Sequence, residues 1–346
     1  MYSKKSHSLE WLFSIGVLII ALTLAGCSRE PSVYQLSGST MGTTWHVTVL
    51  AGADSPAQGL VQERIEAELV AVNASMSTYL ETSEISQFNN APIDSWFGVS
   101  QDFYHVLSAA FAVGFQSQGA YDITVGPLVN LWGFGPSGAV ISVPGEDAVA
   151  EVLQNVGQGK LRLDGDAMSV MKSAPVYLDF SSIAKGYAVD QVARYLESKG
   201  FADYLIEVGG EMRLSGASPR EDVWRIAIEQ PDSGGTGIAR AIRVTNAAVA
   251  TSGDYRNYFE VDGQRYSHTI DPRTGYPVKH ELVSVTVIHS SSMMADAWAT
   301  ALTVLGLEAG MTVAQANGLA VYFITRSEDN FNSSHTAAFK PFLEGL

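Results

Sequence analysis

Apolar side chains along the chain follow two different spacings, and each spacing predicts a type of element. Where they recur every three or four residues, as at Ile65, Leu69 and Val72 with Glu and Arg between them, one face of a helix is apolar. This spacing predicts helices over residues 58–76, 101–116, 187–198, 293–305 and 307–316. Gly200 follows the third of these segments and is a typical helix terminator.

Short runs rich in β-branched and aromatic residues, bounded by turn residues, predict strands. These runs cover residues 45–50, 176–178, 204–208, 224–228, 239–244, 266–270, 283–288 and 320–325. The predicted strands neither alternate strictly with helices nor gather in one half of the chain, and this order favours an α+β fold over a doubly wound parallel sheet. Because no long linker or repeat interrupts residues 34–346, we expect a single two-lobed α+β domain there, with mixed sheets and packed helices.

The first part of the chain has a different pattern. Lys4 and Lys5 precede an uncharged, strongly apolar stretch, which closes with Leu-Ala-Gly-Cys at residues 24–27. This order is typical of a secretory signal, and its ending resembles a bacterial lipobox, in which the cysteine is lipidated and becomes the new N-terminus. We therefore expect a lipoprotein signal peptide over residues 1–26, lipidation of Cys27 and a tether over residues 27–33. A retained membrane anchor and an ordinary signal peptide are the alternatives.

The charge balance and the cysteine count argue against several classes of function. The chain has 346 residues with 21 Lys and Arg against 36 Asp and Glu, a formal net charge of −15. This acidic balance argues against a nucleic-acid binder, which needs a basic surface. Cys27 is the only cysteine, which excludes an intramolecular disulfide and any cysteine-based zinc or iron–sulfur site. A lone cysteine at the lipobox predicts a membrane-anchored lipoprotein that faces the bacterial periplasm.

Two segments combine carboxylate and hydroxyl groups with small residues. Asp179 follows the apolar run 176–178 and precedes a Ser-Ser turn and a helix start, which suits a phosphate, although an ordinary strand–turn–helix explains the same residues equally well. On the predicted helix 293–305, Asp296 and Thr300 are four residues apart and share one face, an arrangement that suits a hard cation such as Mg²⁺. The alternative is an Asp stabilised by the helix dipole and a Thr in the core.

Three further segments have residue types that suit a flat ligand or proton transfer. His268 ends a predicted strand before an Asp-Pro turn, where histidine suits a general base, although most strand histidines are structural. Met41 lies in a Gly- and Thr-rich loop, and its polarizable side chain suits contact with an aromatic ring system, although simple turn chemistry also explains the loop. Small, aromatic and carboxylate groups crowd residues 119–135, either for stacking on a heterocycle or for core packing.

The order of these motifs resembles the ApbE family of FAD:protein FMN transferases. Ser-Thr-Met-Gly-Thr-Thr-Trp at residues 39–45 is followed by Met-Ser-Thr-Tyr at 76–79, Tyr-Asp-Ile-Thr-Val-Gly-Pro at 121–127 and Asp-Phe-Ser-Ser-Ile-Ala-Lys-Gly-Tyr at 179–187. Then come Val-Gly-Gly-Glu at 208–211, Ser-Gly-Asp-Tyr-Arg-Asn-Tyr at 252–258, Ser-His-Thr-Ile-Asp-Pro at 267–272 and Ala-Asp-Ala-Trp-Ala-Thr-Ala at 295–301. The resemblance extends over about residues 34–326.

The resemblance implies an enzyme that uses FAD and Mg²⁺ to attach FMN to a Thr or Ser hydroxyl of a target protein, with release of AMP. The implied acceptors are subunits of Nqr-type sodium-pumping NADH:quinone reductases and of Rnf-type electron-transfer complexes. The implied flavin contacts are Met41, Tyr79, Ala120, Tyr121, Asp122, Asp179, Lys185 and Ile270. The implied metal residues are Ser182 (through its backbone oxygen), Asp296 and Thr300, and the implied base is His268. A Mg²⁺-dependent FAD pyrophosphatase and a non-catalytic flavin carrier are the alternatives.

Overall fold

The structure is a computed structural model, and it describes residues 32–136, 142–231, 237–253, 258–261, 263–327 and 330–343. The predicted signal peptide, Cys27 and most of the predicted tether lie outside the described residues, as do residues 254–257 of one family motif. Ser32 and Val33, which the sequence assigns to the tether, already belong to the first strand.

The described elements follow one another along the chain without a long gap. The helices are α1 (Gln58–Met76), α2 (Glu84–Asn90), α3 (Gln101–Gln116), α4 (Gly126–Leu131), α5 (Glu146–Leu153), α6 (Ala184–Ser198) and α7 (Ser292–Ala316). The strands are β1 (Ser32–Thr40), β2 (Thr43–Ala51), β3 (Phe97–Gly98), β4 (Leu161–Asp164), β5 (Ser169–Lys172), β6 (Tyr204–Val208), β7 (Glu211–Ser215), β8 (Trp224–Glu229), β9 (Ile238–Val244), β10 (Ala247–Gly253), β11 (Tyr258–Val261), β12 (Gln264–Ser267), β13 (Leu282–His289), β14 (Ala320–Ser327) and β15 (Asn330–His335). Short 3₁₀ turns cover Gln158–Lys160 and Ala337–Phe342.

Eight strands form the main sheet, in the order β1-β2-β6-β7-β10-β13-β14-β15. Smaller sheets are formed by β3-β5-β4, by β8-β9 and by β11-β12. Every ladder between the described strands is antiparallel. Together with the helices between the strands, this arrangement confirms the predicted α+β class.

Both faces of the main sheet carry a hydrophobic cluster, and β14 shows how they divide. Val321 and Phe323 belong to the large cluster that includes α1, α6 and α7. Tyr322 and Ile324 belong to a second cluster with the β8–β9 hairpin and Phe339 of the C-terminal turn. Because successive side chains of a strand point to opposite faces, the helices cover one face and the hairpin covers the other.

The helix α7 lies in the core and carries two of the predicted site residues. It is long and apolar enough to cross a membrane, but 61% of its most apolar window is buried inside the protein, as in a core helix. Its N-cap is Ser291, whose side chain accepts a hydrogen bond from the amide of Met294. Gly306 has φ 74° and interrupts the helix, which confirms the prediction of two helical segments over 293–305 and 307–316.

The strand predicted over 176–178 is not formed. Its only ladder contact is an isolated bridge between Val125 and Tyr177. The backbone of Leu178 is paired instead with the side chain of Asn89, which accepts from the Leu178 amide over 2.7 Å and donates to the Leu178 carbonyl over 3.0 Å. An amide side chain therefore occupies the place of a neighbouring strand, and it fixes the segment that leads into Asp179.

Candidate functional site

Two adjoining cavities open beside the start of α6, and they share Tyr79, Asp179 and Lys185 in their walls. The smaller cavity has a volume of about 420 Å³, and about half of its lining surface is polar. It brings together most of the residues predicted from the sequence, namely Tyr79, Asp179, Ser182, Lys185, His268, Ile270, Asp296 and Thr300. The larger cavity has a volume of about 670 Å³, and its wall includes Met41, Val72, Met76 and Leu80.

The turn before α6 is fixed by its own backbone and by one carboxylate. Asp179 accepts a hydrogen bond from the amide of Ser181 over 2.7 Å, and the carbonyl of Phe180 accepts from the amides of Ile183 and Ala184. This turn aims the first residues of α6 at both cavities. Amide groups at a helix start suit an anionic ligand, but those of Ile183, Ala184 and Gly186 already donate within the protein. The cationic group that this helix start presents to both cavities is the ammonium of Lys185.

Half-buried Lys185 and the buried residues Glu211 and Asp296 form a charge cluster in the wall of the smaller cavity. The ammonium of Lys185 lies 2.7 Å from Oε1 of Glu211. Burial alone would lower the pKa of Lys185, but the carboxylates of Asp296 and Glu211 raise it well above its ordinary value. Lys185 is therefore charged across the neutral pH range and partly compensates two acidic groups.

Burial raises the pKa values of both carboxyl groups in this cluster. Burial raises the pKa of Glu211 to about 8, and the nearby Lys185 opposes this change. Burial also raises the pKa of Asp296, while Lys185 and the Gly186 amide oppose it. Among the described residues no hydrogen-bond donor reaches Oε2 of Glu211. In both carboxyl groups burial therefore disfavours the ionised form, which a further positive charge in the cavity would stabilise.

Asp296 and Thr300 lie four residues apart on α7 and both face the smaller cavity, as the sequence predicts. Oδ2 of Asp296 accepts a hydrogen bond from the backbone amide of Gly186 over 3.1 Å. The two side chains supply oxygen donors only, and oxygen is the ligand that hard cations such as Mg²⁺ prefer. This oxygen pair therefore fits a divalent cation, whose charge would stabilise the ionised form of the buried Asp296.

No cluster of three or more His, Cys, Asp or Glu side chains suited to a metal occurs in the described part of the chain. A Mg²⁺ site does not require one, because this ion usually keeps several waters and takes only one or two carboxylates together with substrate phosphates. The hydroxyl of Ser182 donates to the phenol oxygen of Tyr121 over 3.0 Å. Since that side chain already has a partner, the predicted use of the Ser182 backbone oxygen is compatible with the structure.

The strand predicted over residues 266–270 is wrong in its bounds, because β12 covers Gln264–Ser267 and ends three residues earlier. His268 therefore lies in the loop that follows the strand. Its ring lies edge-on to Phe134, with 6.3 Å between ring centroids. The loop after it is held by an isolated bridge between Ile270 and Pro277. His268 therefore lies on a fixed loop in the wall of the smaller cavity, where a general base has access to a bound substrate.

The loop that contains Met41 is a two-residue hairpin turn, because Thr40 pairs with Thr43. Met41 and Gly42 both have positive φ, 50° and 73°, as the tight turns that match strand twist require. This turn places the Met41 side chain in the wall of the larger cavity. Tyr79 stands at the junction of the cavities and is 69% exposed, which makes its ring available to a flat ligand.

Three predicted flavin contacts, Ala120, Tyr121 and Asp122, do not line either described cavity. Ala120 and Tyr121 are buried, and Asp122 accepts hydrogen bonds from the amides of Thr124 and Gln158. Of the three, Tyr121 contacts the cavity wall, because its phenol oxygen accepts a hydrogen bond from the hydroxyl of Ser182. Their direct contact with a flavin stays a prediction.

Glu211 is a site residue that was not predicted from the sequence. It begins β7 after a Gly-Gly turn, within the Val-Gly-Gly-Glu motif at residues 208–211. An acidic residue at the start of a strand in the middle of the main sheet is the only local signal. Its importance comes from its burial and its contact with Lys185, and both depend on the tertiary fold.

Comparison with known proteins decides the family. The ApbE family model matches residues 41–323. The chain belongs to the ApbE family. It is 45% identical over 331 residues to the FAD:protein FMN transferase of Haemophilus influenzae, which covers 94% of this chain and 96% of that protein. It is 43% identical over 335 residues to the FAD:protein FMN transferase of Vibrio cholerae, over 96% of this chain and 99% of that protein.

Solved structures of ApbE proteins have the same fold. The flavin transferase ApbE from Vibrio cholerae superimposes with a TM-score of 0.85 at 42% identity, over 90% of this chain and all (100%) of that one. The apo form of the Pseudomonas stutzeri flavinyl transferase ApbE gives a TM-score of 0.85 at 39% identity, over 92% of this chain and 98% of that one. The chain therefore has the fold of the solved ApbE flavin transferases.

Proposed function

We propose that this chain is a Mg²⁺-dependent transferase that moves FMN from FAD to a Thr or Ser hydroxyl of a target protein and releases AMP. One observation carries the proposal: a single cavity is lined by the oxygen pair of Asp296 and Thr300 and by His268, and it adjoins a larger apolar cavity. The relatives named FAD:protein FMN transferase support FAD as donor and a protein as acceptor.

The two cavities suit the two chemical parts of FAD. The larger cavity offers Met41 and the exposed ring of Tyr79 to a flat ring system. The smaller cavity offers the ammonium of Lys185 to the pyrophosphate. The protein has a net charge of −15, so an anionic substrate needs this local compensation.

The residues that would hold Mg²⁺ are Asp296, Thr300 and the backbone oxygen of Ser182. When bound, Mg²⁺ neutralises charge on the pyrophosphate and makes AMP a better leaving group. His268 accepts the proton of the acceptor hydroxyl, whose oxygen forms a bond to the FMN phosphorus. The bond from this phosphorus to the bridging oxygen breaks, and the electron pair leaves with AMP. The main contribution of the cavity walls is to keep the acceptor oxygen in line with the breaking bond.

We also propose that the protein is a periplasm-facing lipoprotein, with residues 1–26 as signal peptide and Cys27 as the lipidated residue. The lipobox-like Leu-Ala-Gly-Cys at residues 24–27 supports this proposal. Its proposed acceptors are subunits of Nqr-type sodium-pumping NADH:quinone reductases and of Rnf-type complexes, and the family resemblance supports this acceptor class.

The proposed function is tested by incubating the protein with FAD, Mg²⁺ and an acceptor that presents a Thr in a flavinylation sequence, followed by a denaturing gel. A flavin-fluorescent acceptor band is the expected result. Free FMN with a dark acceptor band would make the protein a FAD pyrophosphatase. Unchanged FAD would make it a flavin carrier. Either of these two results would overturn the proposed transfer.

A further inference from the structure

We propose that Asp190 is a positioning residue that aligns the cation-binding face of α7 with the start of α6. Asp190 lies outside both cavities, on the second turn of α6, and its role here rests on the proposed cation site. It joins the three elements that carry the charge cluster, namely α6 with Lys185, β7 with Glu211 and α7 with Asp296.

The carboxylate of Asp190 is buried and accepts four hydrogen bonds from two other elements. Oδ1 accepts from the amide of Ser292 over 3.0 Å and from Nη1 of Arg213 over 2.8 Å. Oδ2 accepts from the hydroxyl of Ser291 over 2.7 Å and from the amide of Met293 over 3.1 Å. Asp190 therefore caps the first turn of α7 from the side of α6, in the place where a negative charge is favoured by the helix dipole.

The contacting residues follow one order along α6 and the opposite order along α7. These contacts therefore fix both the position of α7 relative to α6 and its rotation about its own axis. Gly186 bonds to Asp296, one turn into α7, while Asp190, four residues further along α6, bonds to Ser292. Ser292, Asp296 and Thr300 are each four residues apart and share one face of α7. A change at the Asp190 end of this face therefore moves the oxygen pair at the other end.

The helix backbones touch at this crossing, which leaves little room for adjustment. A Cβ on Gly186 would lie 2.3 Å from the carbonyl oxygen of Ser292. This close contact sets the distance between the two helices, and the hydrogen bonds that Asp190 accepts from Ser291, Ser292 and Met293 hold α7 in register against α6.

Arg213 extends the same arrangement to the main sheet. Glu211 and Arg213 are two residues apart on β7 and therefore face the same side of the sheet. The guanidinium that pairs with Asp190 is thus on the face of β7 that presents Glu211 to Lys185. One buried carboxylate therefore connects the elements that carry all three members of the charge cluster.

The test compares Asp190→Asn with Asp203→Asn in the full chain. Asp203 accepts a 2.7 Å hydrogen bond from the Ala217 amide and lines neither described cavity, so its variant controls for the loss of a carboxylate–amide bond elsewhere. Two quantities are measured: the Mg²⁺ concentration that gives half-maximal FMN transfer, and the hydrogen-exchange rate of the Gly186 amide without Mg²⁺ or FAD.

We expect Asp190→Asn to raise the half-maximal Mg²⁺ concentration about tenfold, the size of effect typical for groups that orient metal ligands. We expect exchange at Gly186 to speed up by a similar factor of about ten, with Asp203→Asn unchanged in both readouts. Ser291→Ala, a milder change that keeps Asp190, is expected to give about a threefold shift in the same direction. Ser291→Ala replaces Asp190→Asn as the test variant if Asp190→Asn does not fold.

Equal Mg²⁺ dependence and equal Gly186 exchange in Asp190→Asn and Asp203→Asn would overturn the proposal, since Asp190 would then only stabilise the fold. If Asp190→Asn does not fold, wild-type values in Ser291→Ala would overturn it. Failure of the proposed function gives a different result. In that case the wild-type protein transfers no FMN, while the exchange rate at Gly186 still reports whether Asp190 aligns the two helices.

Discussion

The backbone amide of Gly186 donates a hydrogen bond to the carboxylate of Asp296 over 3.1 Å. This contact joins the start of α6, which carries Lys185, to the face of α7 that carries Thr300. The donor is a backbone group, so its position does not depend on a side-chain rotamer. The orientation of Asp296, a proposed cation ligand, thus depends on the contact between α6 and α7.

Gly186→Ala should damage both stability and transfer. The new Cβ would lie 2.3 Å from the Ser292 carbonyl oxygen, so the helices must separate, and we expect a loss of about 1–3 kcal/mol in the free energy of unfolding. Chemical denaturation measures this loss. The matched control is Gly59→Ala, also in the first turn of a helix, where a Cβ meets nothing within 4 Å. Equal stability of the two variants would show that the helix contact is looser than described.

Asp296→Ala should abolish Mg²⁺-dependent transfer. Because groups that merely orient metal ligands typically change affinity about 10- to 100-fold, loss of a ligand itself should slow transfer by more than about 100-fold. The flavinylation rate is measured as a function of Mg²⁺ concentration. Glu308→Ala, an exposed acid on the same helix, is the control and should behave as wild type. A normal rate in Asp296→Ala would show that the cation site is elsewhere.

His268→Ala should lose transfer and keep FAD. A general base contributes about 10²- to 10⁴-fold to the rate, so we expect a loss of this size with little change in FAD affinity. Flavin fluorescence on titration gives the affinity, and the gel assay gives the rate. His46→Ala, on the exposed side of β2, is the control. If His268→Ala binds FAD poorly, the histidine is a binding residue and not the base.

Tyr79→Ala should weaken FAD binding. An aromatic contact is worth about 0.5–1.5 kcal/mol beyond its buried area, which corresponds to roughly two- to tenfold in the dissociation constant. Phe115→Ala removes another exposed aromatic ring, 84% accessible and away from both described cavities, and should leave the constant unchanged. The same affinity in both variants would remove Tyr79 from the flavin site.

Glu211 should give the free energy of unfolding a characteristic pH dependence in the absence of Mg²⁺ and FAD. Burial raises its pKa from an ordinary value of 4.5 to about 8, so in this interval the folded state keeps a proton that the unfolded state has lost. The contribution of Glu211 to the free energy of unfolding is therefore most favourable near pH 4.5, and it falls as the pH rises towards 8. Glu211→Gln should lack this fall.

The measurement is chemical denaturation of wild type and Glu211→Gln at several pH values within this interval. The difference between the two proteins isolates Glu211 from other groups, such as His289, whose pKa is lowered by burial and whose effect on stability has the opposite sign. A difference that does not change with pH would contradict a buried, proton-binding Glu211.

The elements with a strong local pattern could be predicted from the sequence. The helices over 58–76 and 101–116 have the predicted bounds because their apolar spacing is regular. The strand β1 was missed, since it lies at the edge of the main sheet and most of its side chains are exposed or half-buried. The start of α6 was placed too late, at Tyr187 instead of Ala184, because the Ala-Lys-Gly at its start has no helical pattern of its own.

The candidate site was predictable only where its members are neighbours in sequence. Spacing alone places Asp296 and Thr300 on one face of a helix, and the structure brings both to one cavity. The pairing of Lys185 with Glu211 and the four contacts of Asp190 join separate elements, so no local pattern indicates them. Burial and tertiary contact decide those roles, and both follow from the fold.

The most direct test of the central claim is the ratio of AMP released to FMN attached to the acceptor, by chromatography of the nucleotide and mass spectrometry of the intact acceptor. Transfer predicts one AMP for each acceptor that gains the mass of one FMN less one water, with no reaction in Asp296→Ala. Release of AMP and free FMN with an unmodified acceptor would contradict transfer and show that water is the acceptor at this site.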